Sequence, residues 1–220
     1  MNDLVTVLIC VHSTNKTNDE YLIEAISSLK SQTYTDFKTL IVLDECWSNT
    51  KSKLDSFDFG EMKDVSIAER EKKEGLAFAK NYGLSLITSE YVAFLDADDL
   101  YEPDKLEKQV SYIKENEVDF LGTHTWNIDS NVRRLKYHSV WNENTFNTHE
   151  DIVEKLFYEN CLTHGSMLIK MKSLKELDYY SHVRGAEDWD LWKRAAKAGY
   201  KFHQLPERLY IWCNGSSVAR

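Results

Sequence analysis

The sequence predicts an α/β fold in which a mostly parallel central sheet is flanked by helices, as in Rossmann-like domains. Runs of Val, Leu and Ile typical of strands buried on both faces alternate with segments whose apolar residues recur at helical spacing. Acidic clusters directly follow two of the strand-like runs. No repeat, low-complexity stretch or Pro/Gly-rich linker interrupts the 220 residues, so we expect a single domain over residues 1–220.

Predicted strands and helices alternate through residue 99. The helical segments repeat apolar residues every three or four positions, as Leu22, Ile26 and Leu29 do. This βαβ rhythm implies right-handed crossovers, and such sheets bind ligands at the carboxyl ends of their strands. The predicted elements are strands over 4–11, 37–43, 65–68 and 91–95 and helices over 19–32 and 75–87.

The later part of the chain has a weaker pattern. Pro103 suits the first turn of a helix. The polar stretch 126–147 carries aromatic residues without a firm period, and we assign it to strands and loops of a small annex. The remaining predicted elements are helices over 103–116, 150–159 and 186–198 and strands over 118–123, 167–170, 200–204 and 208–212.

Composition excludes some classes of function. The formal net charge of -9 argues against a nucleic-acid groove, although a divalent cation would let carboxylates bind a small phosphorylated ligand. The apolar runs fall short of the roughly 18 residues that a membrane-spanning helix needs, and the first strand lacks the basic flank of a secretion signal. We therefore expect a cytoplasmic protein. Four scattered cysteines without a C-x-x-C pair indicate reduced thiols.

The strongest chemical signal is the motif Asp96-Ala97-Asp98-Asp99 at the end of a predicted strand. Residues two apart in an extended chain point to the same side, so Asp96 and Asp98 aim at one point, with Asp99 beside them. Their mutual repulsion is relieved by Mg²⁺ or Mn²⁺, which prefer oxygen ligands. The alternative is an Asp-rich turn that caps the following helix.

A second acidic cluster, Glu187, Asp188 and Asp190, opens the predicted helix after Gly185. Carboxylates are favoured at a helix N-terminus, so these residues can be caps. One of them can also act as a general base toward an acceptor hydroxyl. For the two tryptophans of this helix, at positions 189 and 192, core packing is favoured over stacking on a sugar ring.

Beyond these clusters, the chain resembles the family 2 glycosyltransferases, which have the GT-A fold, along nearly its whole length. The family's Ser-Leu-x-x-Gln-Thr-Tyr and Gly-x-x-x-Ala-Arg-Asn motifs correspond to residues 28–34 and 75–81, and its metal motif to 91–99. Further matching segments are 5–11, 41–45, 187–192 and 198–207. The resemblance implies that residues 1–123 form a nucleotide-sugar-binding half and residues 124–220 an acceptor-binding and catalytic half.

The resemblance also implies roles for individual residues. Asp44 would bind the nucleobase, Asp96 the ribose, and Asp98, with Asp96, the metal ion. Asp188 would be the general base, supported by Glu187, and Lys80 takes the place of a family Arg near the donor. The residues implied to contact the donor are Val11, Asp44, Lys80, Asn81, Asp96, Ala97 and Asp98.

The implied reaction is inverting transfer of a sugar from a nucleotide-diphosphate donor, expected to be a UDP-sugar, onto an acceptor hydroxyl. The acceptor would be a glycan, a lipid-linked glycan or a protein in the synthesis of polysaccharide, lipopolysaccharide or another surface glycan. Contact with a membrane would be peripheral at most, and no nucleic acid is expected as a partner. Mn²⁺ or Mg²⁺ would be the cofactor.

Two other functions are compatible with these residues. A nucleotidyltransferase acting on sugar phosphates normally needs a glycine-rich basic loop after its first strand, and residues 12–16 contain no glycine. A non-catalytic carbohydrate- or protein-binding module would have no need of acids at both Asp98 and Asp188. The chain departs from the family pattern at Glu45-Cys46-Trp47 and at 212–215. His164 and His203 are expected to be structural, with the acceptor side as the alternative for His164.

Overall fold

The computed structural model describes residues 4–12, 16–44, 46, 48–62, 64–70, 74–129, 146–183 and 185–214. Within these ranges, one mixed sheet is flanked by helices. The strands are β1 (Val5–Val11), β2 (Phe37–Asp44), β3 (Val65–Arg70), β4 (Tyr91–Phe94), β5 (Leu100–Tyr101), β6 (Phe120–Asp129), β7 (Leu168–Lys170) and β8 (Phe202–Asn214). The helices are α1 (Lys16–Lys30), α2 (Ser48–Ser56), α3 (Leu76–Leu86), α4 (Lys105–Glu115), α5 (His149–Leu156), α6 (Met171–Glu176) and α7 (Glu187–Lys197).

The strand order in the sheet is β3-β2-β1-β4-β7-β6-β8-β5. The first four strands in this order are parallel neighbours, as the alternation of strands and helices predicted. β7 is antiparallel to both β4 and β6, and β6 in turn runs parallel to β8. The carboxyl ends of β1, β2 and β4 therefore lie at one edge of the sheet, where the first acidic motif follows β4.

Apolar side chains on the two faces of the sheet form separate cores. In β1, Val5, Val7 and Ile9 belong to one core and Leu8 to the other, because successive side chains of a strand point to opposite faces. Helices α1 and α4 pack on the first face, whereas α3, α5, α6 and α7 pack on the second. α3 and α7 thus share a face, which brings together residues that are about a hundred positions apart in the chain.

The structure differs from the predicted elements mainly in its second half. The two strands expected at 200–204 and 208–212 are one strand, β8, because β6 extends to Asp129 and supplies pairing partners along its length. In that pairing Thr123 faces Leu205 and His124 faces Arg208, so Pro206 and Glu207 lie in a bulge. Proline has no N–H to donate, and a bulge accommodates it within a strand.

Three short elements, α2, α6 and β5, were not predicted. The division at residue 123 falls inside β6, so the two expected halves share that strand. Of the expected annex, residues 126–129 belong to β6 and residues 130–145 lie outside the described residues. No helix among the described residues is both long and apolar enough to cross a membrane.

Candidate active site

The first acidic motif lies at the end of β4. The Asp99 N–H donates to the Asp96 carbonyl oxygen at 3.1 Å, which closes a tight turn around Ala97 and Asp98. The Asp96 side chain is 44% exposed. Desolvation raises the pKa of Asp96 to about 6; Lys80 opposes this rise, and the carboxylates of Asp98, Asp188 and Glu187 add to it. Carboxylates from both acidic clusters therefore lie within electrostatic reach of Asp96.

Asp99 turns away from the other two carboxylates of the motif. It is 2% exposed and accepts hydrogen bonds from the Tyr210 hydroxyl at 2.6 Å and from the Cys213 N–H at 2.8 Å. Burial, followed by the charges of Asp96 and Asp98, raises its pKa well above the usual range. The sequence predicts Asp99 beside the metal ligands. In the structure, its carboxylate instead links the motif to β8 through hydrogen bonds.

Lys80 is a buried cation between the two acidic clusters. Its side chain is 4% exposed, and its ammonium group lies 2.9 Å from Glu187 Oε1. Burial alone would raise the pKa of Glu187, but the charge and hydrogen bond of Lys80 outweigh burial and the pKa is lowered. The Lys80 ammonium also lies 5.2 Å from the centre of the Tyr180 ring. The position is therefore an internal one, unlike that of an ordinary helix surface lysine.

The acids that open α7 have different partners. Asp188 Oδ2 accepts a hydrogen bond from the Asn160 amide at 2.9 Å. Asp190 is bound by the Ser181 hydroxyl at 2.5 Å and by Arg194 Nε at 2.8 Å, contacts that fix the start of the helix. Trp192 is fully buried, which confirms core packing for that residue. Trp189 is half-buried, and its indole N–H donates to the Leu156 carbonyl.

Asp44 ends β2 and pairs with a residue that the sequence did not reveal. Arg70 Nη1 lies 2.9 Å from Asp44 Oδ1, and the two residues are register partners at the end of β2 and β3. His12 Nδ1 lies 2.9 Å from the Asp44 carbonyl oxygen. A strand prediction continued to residue 70 would have placed this arginine at the ligand-binding edge. Glu45 and Trp47, where the chain departs from the family, lie outside the described residues.

Cys10 lies between Asp44 and the β4 motif. Burial raises the pKa of the Cys10 thiol to about 12, so the thiol stays protonated. Lys80, Asp96 and Asp44 all contribute electrostatically at this thiol. The neighbouring Val11 is 2% exposed, and its carbonyl oxygen accepts a hydrogen bond from the Cys46 thiol at 3.2 Å. Asp44, expected to bind the nucleobase, and Asp96, expected to hold the metal ion, therefore both lie near the end of β1.

The side-chain amide of Asn81 forms two hydrogen bonds with the backbone of Tyr180. Its Nδ2 donates to the Tyr180 carbonyl oxygen at 2.8 Å, and its Oδ1 accepts from the Tyr180 N–H at 3.0 Å. Ala97 is half-buried and packs against the first core. These contacts give Asn81 a clear structural task, and its contact with the donor stays a prediction.

His164 and Tyr180 lie beside Asp96 and Lys80, although the sequence favoured a structural role for His164 and gave no signal for Tyr180. His164 belongs to a single 3-10 turn, His164–Ser166, directly before β7. Its Nε2 lies 2.7 Å from the Tyr180 hydroxyl, and its Nδ1 lies 3.9 Å from Asp96 Oδ1. His203, by contrast, stacks on Tyr112 with ring centres 4.7 Å apart, as expected for a structural histidine.

The chemistry of Asp96 and Asp98 fits a hard divalent cation. The raised pKa of Asp96 reflects, in part, negative charge from neighbouring carboxylates, and a cation would relieve that repulsion. Among the described residues, no group of three or more His, Cys, Asp or Glu side chains is gathered closely enough to hold an ion. An ion at Asp96 and Asp98 would therefore complete its shell with phosphate and water oxygens, as Mg²⁺ commonly does.

Comparison with known proteins identifies the family of the chain. The model of "Glycosyl transferase family 2" matches residues 6–178. An uncharacterized glycosyltransferase of Methanocaldococcus jannaschii is 33% identical over 203 residues, which cover 90% of this chain and 68% of the relative. The O-antigen biosynthesis glycosyltransferase WbnJ of Escherichia coli is 27% identical, with 87% of this chain and 71% of WbnJ covered.

Two solved structures share the fold at low sequence identity. S. aureus TarS in complex with UDP-GlcNAc superimposes with a TM-score of 0.76 at 18% identity, covering 99% of this chain and 61% of TarS. A mannosyltransferase of Pyrobaculum calidifontis, in complex with GDP-Man and Mn²⁺, gives a TM-score of 0.73 at 18% identity over 99% of this chain. The chain spans about 60% of the length of these structures. From the family match and the shared architecture together, this chain belongs to glycosyl transferase family 2 and has a GT-A fold.

Proposed function

We propose that the chain is an inverting glycosyltransferase that moves a sugar from a nucleotide-diphosphate donor onto the hydroxyl group of a surface glycan precursor. The observation that carries this proposal is the convergence of the two acidic clusters on Asp96, with the buried Lys80 between them. The family match disfavours the alternative that the protein is a nucleotidyltransferase. Relatives named for O-antigen and amylovoran biosynthesis support a glycan acceptor.

Asp96 and Asp98 would hold Mn²⁺ or Mg²⁺ against the donor pyrophosphate. When bound, such an ion supplies positive charge that stabilises the departing nucleoside diphosphate. Lys80 adds a second cation near Asp96, and Glu187 fixes its ammonium group at 2.9 Å. Asp44 would take the base, which we propose is uracil, beside Arg70 at 2.9 Å.

Asp188 would remove the proton of the acceptor hydroxyl. The hydroxyl oxygen then forms a bond to the anomeric carbon while the bond from that carbon to the phosphate oxygen breaks. The electron pair leaves with the nucleoside diphosphate, and attack from the face opposite the leaving group inverts the anomeric centre. The Asn160 amide, at 2.9 Å from Asp188 Oδ2, orients the carboxylate for this step.

The test is a thermal-shift screen of UDP- and GDP-sugars with and without MnCl₂, followed by assays of donor hydrolysis. A bound donor should raise the melting temperature by mass action, and only when the ion is present. Asp98→Asn should abolish the ion-dependent shift, whereas Asp104→Asn, which alters an exposed acid paired with Lys108, should leave it unchanged. A donor shift that is identical without the ion, or in Asp98→Asn, would remove Asp98 from the site.

A further inference from the structure

His164 is a buried residue with an unpaired ring nitrogen beside the acidic motif. It is 8% exposed, and its Nε2 is occupied by the Tyr180 hydroxyl at 2.7 Å. Its Nδ1 has no hydrogen-bond partner in the part of the chain that the structure describes. The nearest carboxylate oxygen, Asp96 Oδ1, is 3.9 Å away, which is too long for a hydrogen bond. Buried polar groups are normally paired, so this nitrogen requires an explanation.

The surrounding residues hold the His164 ring in place. The Phe94 ring lies with its centre 4.4 Å from that of His164. The turn is closed by the Met167 N–H, which donates to the His164 carbonyl oxygen at 3.1 Å. A Cβ atom on Gly165 would lie 1.9 Å from the Tyr210 hydroxyl, so the turn fits tightly against β8. Nδ1 is therefore directed toward Asp96 by packing.

The contact with Tyr180 can place the ring hydrogen of His164 on Nδ1. When the Tyr180 hydroxyl donates to Nε2, Nδ1 carries the hydrogen. Tyr180 is itself held by two hydrogen bonds between its backbone and Asn81. The result is an N–H donor that points toward a carboxylate acceptor across a short gap.

A hydroxyl group has the chemistry that this pair of groups requires. An oxygen atom about 2.8 Å from each group can sit beside a line of 3.9 Å joining Nδ1 to Oδ1. It would accept from Nδ1–H and donate its own hydrogen to Asp96. Asp96 is 44% exposed, so a ligand can reach it from solvent. A ligand with hydrogen in place of the hydroxyl would leave both protein groups unpaired.

We propose that His164 Nδ1 and Asp96 Oδ1 together bind one secondary hydroxyl group of the nucleotide-sugar donor, which makes His164 a specificity-determining residue. This inference rests on the proposed function. The hydroxyl belongs either to the ribose or to the transferred sugar, and the chemistry of recognition is the same for both. The partner of Asp96 in this contact lies 68 positions later in the sequence, in a turn with no recognised motif of its own.

Two substitutions separate the two nitrogens of His164. The side-chain amide of His164→Asn places an N–H near the position of Nδ1, whereas that of His164→Gln reaches the position of Nε2. Binding would be measured by calorimetry with MnCl₂ present, using UDP, GDP, their 2′-deoxy and 3′-deoxy forms, UDP-glucose and GDP-mannose. Thermal denaturation of each variant reports whether it is folded.

We expect His164→Asn to bind the cognate ligand within about threefold of the unaltered protein and His164→Gln to bind it about tenfold more weakly. The deficit of His164→Gln should vanish with a ligand that lacks the recognised hydroxyl. A deficit already seen with UDP or GDP, and lost with a deoxyribose form, assigns the hydroxyl to ribose. A deficit seen only with the intact nucleotide sugar assigns it to the transferred sugar.

The opposite order, with His164→Gln binding normally and His164→Asn weakly, would overturn the inference, because it would indicate that only the contact with Tyr180 matters. Equal binding by both variants and the unaltered protein would overturn it as well. If His164→Gln does not fold, Tyr180→Phe carries the test: loss of the hydroxyl that orients the ring should weaken binding about threefold, and unchanged binding contradicts the proposal. An unaltered protein that binds none of these nucleotides overturns the proposed function itself.

Discussion

Two acids at the start of α7 differ in their hydrogen-bond partners. Asp188 and Asp190 are two positions apart on the same helical turn. Asp190 is held by Ser181 and Arg194, whereas Asp188 contacts the amide of Asn160, which does not neutralise its charge. Within the described part of the chain, Asp188 thus has no cationic partner of the kind that holds Asp190, and this difference cannot be read from the spacing of the acids.

Asp188→Asn should therefore lower the rate of sugar transfer about a thousandfold, the usual scale for loss of a general base, and leave the affinity for the donor nearly unchanged. Product formation and calorimetric binding measure the two effects. Asp190→Asn is the matched control: it should keep transfer within a few-fold and lower the melting temperature. Equal losses of activity in both variants would contradict the assignment of the base.

Lys80 and Glu187 form a buried ion pair whose partners stabilise each other. Lys80→Met or Glu187→Gln alone leaves the other group buried and unpaired, so each should lower the free energy of unfolding by about 3 kcal/mol. The double variant should lose clearly less than the sum. Urea denaturation of the unaltered protein, the two single variants and the double variant gives the coupling energy between Lys80 and Glu187. As a control, Lys155→Met breaks an exposed pair with Glu159 and should lower the free energy of unfolding by less than about 1 kcal/mol. Additive losses would show that the pair is not coupled.

At the scale of single residues, the acidic side chains can be identified from the sequence, whereas their partners cannot. Asp96, Asp98 and Asp188 stand in motifs that a single chain displays. The burial of Lys80 depends on a helix 107 residues later, and the contact of His164 with Tyr180 depends on how one turn packs. Such contacts are set by tertiary packing, which residue spacing does not encode.

Helix α4 carries an unusual buried charge on the face of the sheet opposite α7. Lys105 is 0% exposed, with its ammonium group 2.7 Å from Gln109 Oε1 and 3.9 Å from the centre of the Tyr101 ring. No carboxylate is recorded against it among the described contacts. Desolvation lowers the pKa of Lys105 well below the usual 10.5. The fold therefore bears the desolvation cost of burying the Lys105 ammonium group.

Lys105→Met should raise the free energy of unfolding at pH 7 by about 1 kcal/mol or more, since it removes the desolvation cost. Between the lowered folded pKa and the unfolded value of 10.5, the unfolded chain binds the extra proton, so the stability of the unaltered protein rises with pH. The advantage of the variant should shrink as pH rises from 7 to 9. Urea denaturation at three pH values measures the difference in the free energy of unfolding between the variant and the unaltered protein. A difference that grows as the pH rises would contradict this account.

Element prediction succeeded where structure is local and failed where it depends on distant pairing. β1, β2 and β4 have apolar runs that identify them without reference to the rest of the chain. The sequence predicts two strands where the structure has β8, and only the pairing with β6 shows that one strand continues past Pro206. β5, a strand of two residues, exists only through its contact with β8.

The whole molecule is organised by one sheet that crosses the expected division at residue 123. β7, from the later part of the chain, lies between β4, from the earlier part, and β6, which spans the division. β5 likewise pairs only with β8. The two expected halves therefore share one sheet, which is joined where β4 pairs with β7 and where β5 pairs with β8.

The protein should therefore unfold in one cooperative transition. Far-ultraviolet circular dichroism and tryptophan fluorescence, followed through a urea titration, should give superimposable curves, because Trp192 in α7 packs in the same core as β4. Addition of Mn²⁺ with a bound donor should shift both curves together. Two separated midpoints would indicate that the halves fold independently.

Asp99 is fastened to Tyr210 and Cys213, residues that follow it by 111 and 114 positions. During synthesis the ribosome therefore releases the acidic motif well before the strand that anchors it. A growing polypeptide carries those carboxylates in an unanchored form, and we expect nucleotide sugars to be captured only once translation has passed the last strand.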